Sequence, residues 1–183
     1  MRKWNAVLSA AIVILLLVHM VAGAMQMTGM LQGGIAWLKV LARVMFCLIG
    51  LHMLIGIKLT ADTLCLQKKA GTSYPKQNRL FWARRISGFA LLALVASHLI
   101  ALSGKMENGA FRLHEFGTAE LVTQILLVVS LAVHILTNLT PMLIGLGIRS
   151  FRKFLPDLLL ILSVLLLAAG AAFAVYFIRW NAM

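Results

Sequence analysis

Four histidines lie in four successive apolar stretches of this chain, one in each stretch: His19, His52, His98 and His134. Lipid does not solvate an ionisable side chain, so a histidine inside a membrane-spanning helix marks a functional site by default. Neutral imidazole is a good axial ligand for haem iron, which takes one nitrogen from each side of the porphyrin. Four histidines at two depths therefore predict two b-type haems stacked across a membrane.

These histidines need elements that cross the membrane, and the composition predicts five such elements. Of 183 residues, 62% are hydrophobic and 12% are charged, and the mean hydropathy is +0.96. A soluble domain is nearer half apolar and a quarter charged, and about 20 apolar residues are enough to span a bilayer. We expect an all-α, single integral membrane domain over residues 1–183, with five transmembrane helices at about 4–25, 37–59, 82–102, 119–146 and 155–178.

The placement of charge predicts the orientation of these helices. The net charge of +12 is concentrated before the first helix, between the second and third, and between the fourth and fifth. Cytoplasmic loops collect lysine and arginine, so we expect a cytoplasmic N-terminus in a bacterial-type inner membrane, and no nucleic-acid binding. The first helix begins with Arg2-Lys3 like a secretory signal, but its length and its histidine predict that it is retained.

The depth of each histidine predicts which two share a haem. At about 1.5 Å per residue, His19 and His98 lie about 20–24 Å from the cytoplasmic ends of their helices, which makes them an outer pair. His52 lies about 10–12 Å and His134 about 15–19 Å from those ends, which makes them an inner pair. The chain has no C-x-x-C-H sequence, which excludes covalent attachment of a c-type haem.

The third helix carries a sequence typical of one family. Arg85-Ile86-Ser87-Gly88-Phe89-Ala90, followed by Ser97-His98-Leu99, resembles a stretch of the dihaem cytochrome b subunits of succinate:quinone oxidoreductases and quinol:fumarate reductases. That family has five membrane helices, with four axial histidines on the first four. The resemblance implies the same ligand pairs that depth predicts, the first helix with the third and the second with the fourth.

The resemblance also implies a function and partners. Such a subunit anchors a cytoplasmic iron–sulfur protein and a flavoprotein in the lipid bilayer. It carries electrons between them and a quinone, either menaquinone or ubiquinone, while fumarate and succinate interconvert on the flavoprotein. The basic segment 58–85, with Tyr74-Pro75 in its middle, is the expected docking surface, and a dimer of the complex is left open.

Haem propionates and a quinone require further polar groups near the two membrane faces. The inner-face candidates for propionate contacts are Trp82, Arg84, Arg85, Ser87 and Arg149. The outer-face candidates are Lys39 and Arg43 for a propionate, and Gln26, His114, Glu115 and Glu120 for a quinone. Tryptophan, lysine and arginine also concentrate at membrane interfaces, so interfacial anchoring is an alternative for those residues, as is a solvated loop position for the histidine.

Two other functions stay open at this point. The first is a cytochrome b subunit of another dehydrogenase complex, of the formate dehydrogenase or hydrogenase type, although such subunits commonly have four membrane helices. The second is a non-haem packing or transport protein in which the histidines only form hydrogen bonds. A zinc site is disfavoured, because histidine pairs at two levels do not converge on one tetrahedral centre.

Overall fold

Five long helices make up most of the structure, a computed structural model that describes residues 1–71, 78–108, 110–113 and 115–182. The helices are α1 (Arg2–Met27), α2 (Ala36–Lys69), α3 (Arg79–Ala101), α4 (Thr118–Gly145) and α5 (Leu155–Asn181). Each is long and apolar enough to cross a membrane. The predicted all-α bundle with five membrane helices is therefore confirmed, and the chain is a multi-pass membrane protein.

Successive helices run in opposite directions, which gives the bundle two different ends. Gly145 at the end of α4 lies against Ala6 near the start of α1, and Arg179 of α5 donates a hydrogen bond to the Thr28 carbonyl just after α1. We name the end where α1, α3 and α5 begin the basic end, and the opposite one the hairpin end. The positive charges of the basic end include Arg2, Lys68, Lys69, Arg79, Arg149, Arg152 and Lys153.

Helix α2 is longer than the apolar stretch that predicted it. It continues to Lys69 instead of ending near residue 59. Residues 60–69 are more polar but contain neither proline nor glycine, so nothing in this part of the sequence stops a helix. The helix ends where Gly71 adopts a φ of 63°, a left-handed conformation that glycine takes readily after a helix.

The connection between α3 and α4 contains a short hairpin that the all-α prediction omitted. Strand β1 (Gly104–Glu107) pairs antiparallel with β2 (Ala110–Leu113). The sequence Asn108-Gly109 between them is a strong signal for a two-residue hairpin turn, and Asn108 has the positive φ, 50°, that such a turn uses. These two strands lie between the third and fourth predicted helices, so the five helical spans are unaffected.

The helices pack around a cavity rather than a continuous core. Helices α1, α4 and α5 pack against one another, α2 packs against α1, and α3 packs against α4. Within the described residues, α1–α3 and α2–α4 are not among the extensive contacts. The tightest part of the bundle is a leucine cluster, Leu139 and Leu143 of α4 with Leu162 of α5. Across the cavity, α1 therefore stands opposite α3, and α2 opposite α4.

Helix α4 continues through Pro141 because another helix supplies the hydrogen bond that proline cannot make. Proline has no N–H, so the carbonyl four residues earlier, that of Thr137, loses its helical partner. Arg84 of α3 donates from Nε to this carbonyl at 2.9 Å. The contact ties α3 to α4 within one helical turn of His134.

Candidate functional site

The four membrane histidines lie in two facing pairs inside the bundle. The ring centroids of His19 and His98 are 6.1 Å apart, with the ring planes at 70°. The centroids of His52 and His134 are 6.3 Å apart, with the planes at 86°. Depth predicts these same two pairs, and the structure brings them together across the two diagonals of the cavity.

This spacing fits two imidazoles that bind one metal ion from opposite sides. With metal–nitrogen bonds of about 2.0 Å, and about 1.15 Å from each nitrogen to its ring centre, the centroids of two such ligands lie about 6.3 Å apart. A direct hydrogen bond of about 2.9 Å between two ring nitrogens would bring the centroids to about 5.2 Å. In the part of the chain that the structure describes, no hydrogen bond joins the two rings of either pair.

Three of the four rings share one further feature, a polar side chain within hydrogen-bond distance of Nδ1. The contacts are His98 Nδ1 to Gln124 Oε1 at 2.7 Å, His134 Nδ1 to Ser87 Oγ at 3.2 Å, and His52 Nδ1 to Ser9 Oγ at 3.4 Å. Histidines that bind metals are almost always held in this way through the nitrogen that does not face the metal. The contacts leave Nε2 of these three rings free to bind a metal.

The partner of His98 determines which of its ring nitrogens carries the proton. The amide oxygen of Gln124 can only accept a hydrogen bond, so His98 Nδ1 must donate. A neutral imidazole protonated at Nδ1 has its free lone pair on Nε2. His98 is therefore held in the tautomer that binds a metal ion through Nε2.

The two serines act on their histidines in the same sense. Ser87 donates its hydroxyl proton to the Ala83 carbonyl at 2.6 Å, so its oxygen is left to accept from His134 Nδ1. Ser9 donates its hydroxyl proton to the Asn5 carbonyl at 2.7 Å. Its oxygen is therefore left to accept from His52 Nδ1. Each hydroxyl uses its single proton within its own helix, and both histidines keep the Nε2 lone pair free.

Gly88 gives the His134 ring the space it occupies. A methyl group on Gly88 would lie 3.2 Å from Cε1 and 3.5 Å from Nδ1 of His134. Neighbouring Ser87 is buried, with 6% of its surface exposed. The Ser-Gly sequence on α3 thus supplies both the hydrogen-bond partner and the clearance that orient this ring.

Both histidine pairs line one continuous cavity of about 1900 Å³. Pockets for drug-sized ligands have volumes of about 300–1,000 Å³, so the space exceeds what one such molecule needs. Gly23, Gly50 and Gly56 also line it, and a Cβ at any of these three positions would have no neighbour within 4 Å. The backbone is therefore open to a large, flat, apolar group such as a porphyrin.

Each histidine pair presents two opposed imidazoles to the space between its rings. Among the described residues, no three His, Cys, Asp or Glu side chains come close enough to share a metal. Two opposed imidazoles suit an iron whose other positions are filled by a macrocycle, whereas structural zinc takes four protein ligands. Cys47 and Cys65 are free and exposed.

Two of the five inner-face candidates for propionate contacts lie on the cavity wall. Arg84 and Arg85 line the cavity near the basic end. Arg85 places its guanidinium carbon 5.1 Å from the centre of the Phe81 ring, and its Nε is buried without a hydrogen-bond partner in the described chain. A buried, unpaired N–H is costly unless a ligand accepts from it, so this arginine fits a propionate oxygen.

The other three inner-face candidates for propionate contacts have different surroundings. Ser87 bonds the ring of His134. Trp82 packs edge-on against Phe81, with ring centroids 5.4 Å apart. Arg149 is exposed and lines a second, smaller pocket beside the connection from α4 to α5.

The candidates at the hairpin end are dispersed. Gln26 and Lys39 line the large cavity. Lys39 and Arg43 are both exposed. Glu120 accepts a hydrogen bond from the Gly117 N–H at 2.9 Å, which caps the start of α4. Its carboxylate therefore has a structural contact already.

Four predicted residues fall in or beside segments that the structure does not describe. His114 lies outside the described residues, and so does Tyr74-Pro75 of the expected docking surface. Glu115, next to the histidine, is exposed. The predictions for these positions stay predictions.

Sequence reasoning missed Ser9 and Gln124 as partners of the histidines. Each precedes a membrane histidine of its own helix by ten residues, His19 in α1 and His134 in α4. Ten residues are about 2.8 turns, so the two positions lie about 15 Å apart along the helix and about 80° apart around it. A polar residue within the apolar stretch of a helix that carries a membrane histidine was the available signal.

The structure places two pairs of facing imidazoles at two levels of the bundle, and each pair would offer two nitrogens to a metal centre. The two levels lie about 15 Å apart along the bundle. Ser9 lies beside His52 and is ten residues from His19 in α1, and Gln124 lies beside His98 and is ten residues from His134 in α4. The surrounding walls are largely apolar and face one shared cavity.

In comparisons with known proteins, no family model, no curated protein and no solved structure matches this chain.

Proposed function

We propose that this chain is a dihaem cytochrome b, the membrane subunit of an electron-transfer complex. His19 and His98 would bind one haem iron, and His52 and His134 the other. The observation that carries the proposal is the facing arrangement of these rings, with centroids 6.1 and 6.3 Å apart. The Nδ1 contacts support it, because they leave Nε2 of three rings free to ligate.

Bound haem supplies one-electron redox chemistry at its iron, and the protein supplies position and electrostatics. Here the helices hold the two ligand pairs about 15 Å apart along the bundle. Ser9, Ser87 and Gln124 keep three imidazoles in one tautomer. Arg84 and Arg85 present N–H groups on the cavity wall, where they would bind carboxylates.

Electrons would pass between a quinone, menaquinone or ubiquinone, and an iron–sulfur and flavoprotein pair of the fumarate reductase or succinate dehydrogenase type. We propose that the basic end faces the cytoplasm of a bacterial cell and docks the iron–sulfur subunit. Its positive charge supports both parts of this proposal, because cytoplasmic faces collect lysine and arginine and charge complementarity steers association. Purification of the native complex and identification of its subunits tests the choice of partner against a formate dehydrogenase or hydrogenase.

The haem proposal is tested by the absorption spectrum of the purified chain. We expect a b-type band in the reduced-minus-oxidised difference spectrum and two haems per chain by extraction. A chain that carries no haem when it is produced with ample haem supply would refute the proposal.

Replacing one ligand should remove one haem and leave the other. In His98→Ala, the site shared with His19 keeps only one axial nitrogen, whereas the pair His52 and His134 is unchanged, so we expect haem content to fall by half. His114→Ala is the matched control, because this fifth histidine belongs to neither pair. Two haems retained in His98→Ala, or one lost in His114→Ala, would contradict the assigned pairs.

A further inference from the structure

Gln124 is the most deeply buried polar side chain of the described structure, with no exposed surface. It lies on α4 and its Oε1 is 2.7 Å from His98 Nδ1, the shortest of the three Nδ1 contacts. Burial of an amide among apolar groups is unfavourable unless its polar atoms find partners. Loss of the contact with His98 would leave the Gln124 amide oxygen buried without this partner, which is unfavourable.

The surroundings hold Gln124 and His98 in one geometry. The amide Nε2 of Gln124 donates to Thr123 Oγ1 at 3.4 Å, which directs Oε1 toward the histidine. Thr123 in turn donates to the Glu120 carbonyl at 2.9 Å. Phe173 of α5 contacts the His98 ring edge-on, with centroids 6.3 Å apart. The His98 ring is therefore held between Gln124 of α4 and Phe173 of α5.

We infer that Gln124 is the positioning residue of the site built on His19 and His98, where it fixes the His98 tautomer and strengthens its electron donation to iron. The inference rests on the proposed function. A hydrogen bond from Nδ1–H to a good acceptor raises the basicity of the ligating nitrogen. A more basic ligand stabilises oxidised iron over reduced iron, so this contact lowers the reduction potential of that site.

The effect should be confined to one of the two levels. His52 and His134 have serine hydroxyls as partners, at the longer distances of 3.4 and 3.2 Å. Gln124 lies ten residues, about 15 Å, from His134 along α4. Ser9, the partner of His52, offers the matched control at the other level.

The experiment compares variants of the full chain with haem bound. Gln124→Met keeps the length of the side chain and removes the acceptor, Gln124→Glu keeps an oxygen at the same place, and Ser9→Ala removes the acceptor of His52. Each haem is followed by potentiometric titration and by the electron paramagnetic resonance signal of its oxidised iron, and His98→Ala identifies which signal belongs to which site.

We expect Gln124→Met to raise the potential of the His19–His98 site only, and to loosen its haem by about 10–100-fold. Gln124→Glu should leave that potential at or below the wild-type value, and Ser9→Ala should shift the other site only. If Gln124→Met does not accumulate in the membrane, Gln124→Asn gives the same test, because its amide oxygen lies one methylene further from the ring.

Three outcomes would overturn the inference. These are an unchanged potential at the His19–His98 site in the Met or Asn variant, an equal shift at both sites, and a rise in Gln124→Glu as large as that in Gln124→Met. Each of them leaves a wild-type chain with two haems, so the proposed function would survive. A wild-type chain without haem would instead remove the proposed function, and this inference with it.

Discussion

The clearance between Gly88 and His134 allows a test in which helix stability and haem binding change in opposite directions. A methyl group at position 88 would lie 3.2 Å from Cε1 of the imidazole, whereas comfortable carbon contacts are about 3.5–4.0 Å, so the ring must retreat by about 0.3 Å. Metal sites tolerate deviations of about 0.2 Å in their bond lengths. In Gly88→Ala we therefore expect a distorted or weakened axial bond at the site of His52 and His134.

The intrinsic helix propensities predict the reverse effect on the helix itself. Alanine is favoured over glycine by about 1 kcal/mol in a helix interior, so α3 alone should become more stable. We expect Gly88→Ala to insert and fold normally, and to release one haem about ten times more readily. The assay is haem retention during transfer to apomyoglobin, with the resonance signal of each oxidised haem recorded in parallel.

Gly170→Ala is the matched control for this change. Gly170 lies in α5, where a Cβ would meet only Val128 Cγ1 at an ordinary 3.8 Å. It gains the same helix propensity without approaching a histidine, so both haem signals should stay as in the wild type. If Gly88→Ala retains both haems with unchanged signals, the packing of this glycine has no bearing on the site and the reasoning fails.

Two further predictions concern the helices that carry the site. Arg84→Met should destabilise the bundle by about 1–3 kcal/mol, because it leaves the half-buried Thr137 carbonyl unpaired. This loss of stability should largely disappear in a Pro141→Ala background, where the backbone N–H at position 141 pairs with that carbonyl. The free energy of unfolding is measured in detergent. An equal loss in both backgrounds would contradict the contact between Arg84 and the Thr137 carbonyl. Glu120→Ala should cost about 0.5–1 kcal/mol through loss of the Gly117 cap, and Glu120→Gln, which keeps an acceptor oxygen, should recover most of it; a Gln variant as unstable as the Ala variant would point to another role.

The spans of the helices and the pairing of the histidines followed from simple rules. Apolar length located all five helices, because lipid requires it, and depth at a fixed rise per residue placed His19 near His98 and His52 near His134. The position at which α2 ends could not be predicted from apolar length. Residues 60–69 lack the apolar signal but still form a helix, since backbone hydrogen bonds do not depend on lipid.

The partners of the histidines were harder to predict, because they depend on contacts between helices. Ser87 was predicted as a propionate contact, which stays a prediction, but its position 3.2 Å from His134 Nδ1 was not predicted, because it depends on how α3 and α4 face each other. Gln124 is similar, because its contact with His98 joins residues 26 positions apart. The position of Gln124 in the apolar stretch of α4 could have marked it as a candidate, but not the histidine ring that it contacts.

The placement of each histidine pair across the cavity has a consequence for how the chain is assembled. Each pair joins helices that lack extensive packing of their own, α1 with α3 and α2 with α4, so a metal group held between them would act as a cross-brace. A molecule that binds only the folded bundle stabilises it in proportion to the logarithm of its concentration. Cells short of the cofactor should then accumulate little of this protein, because two of its five spans would be held to the rest along one side only and would be open to membrane proteases.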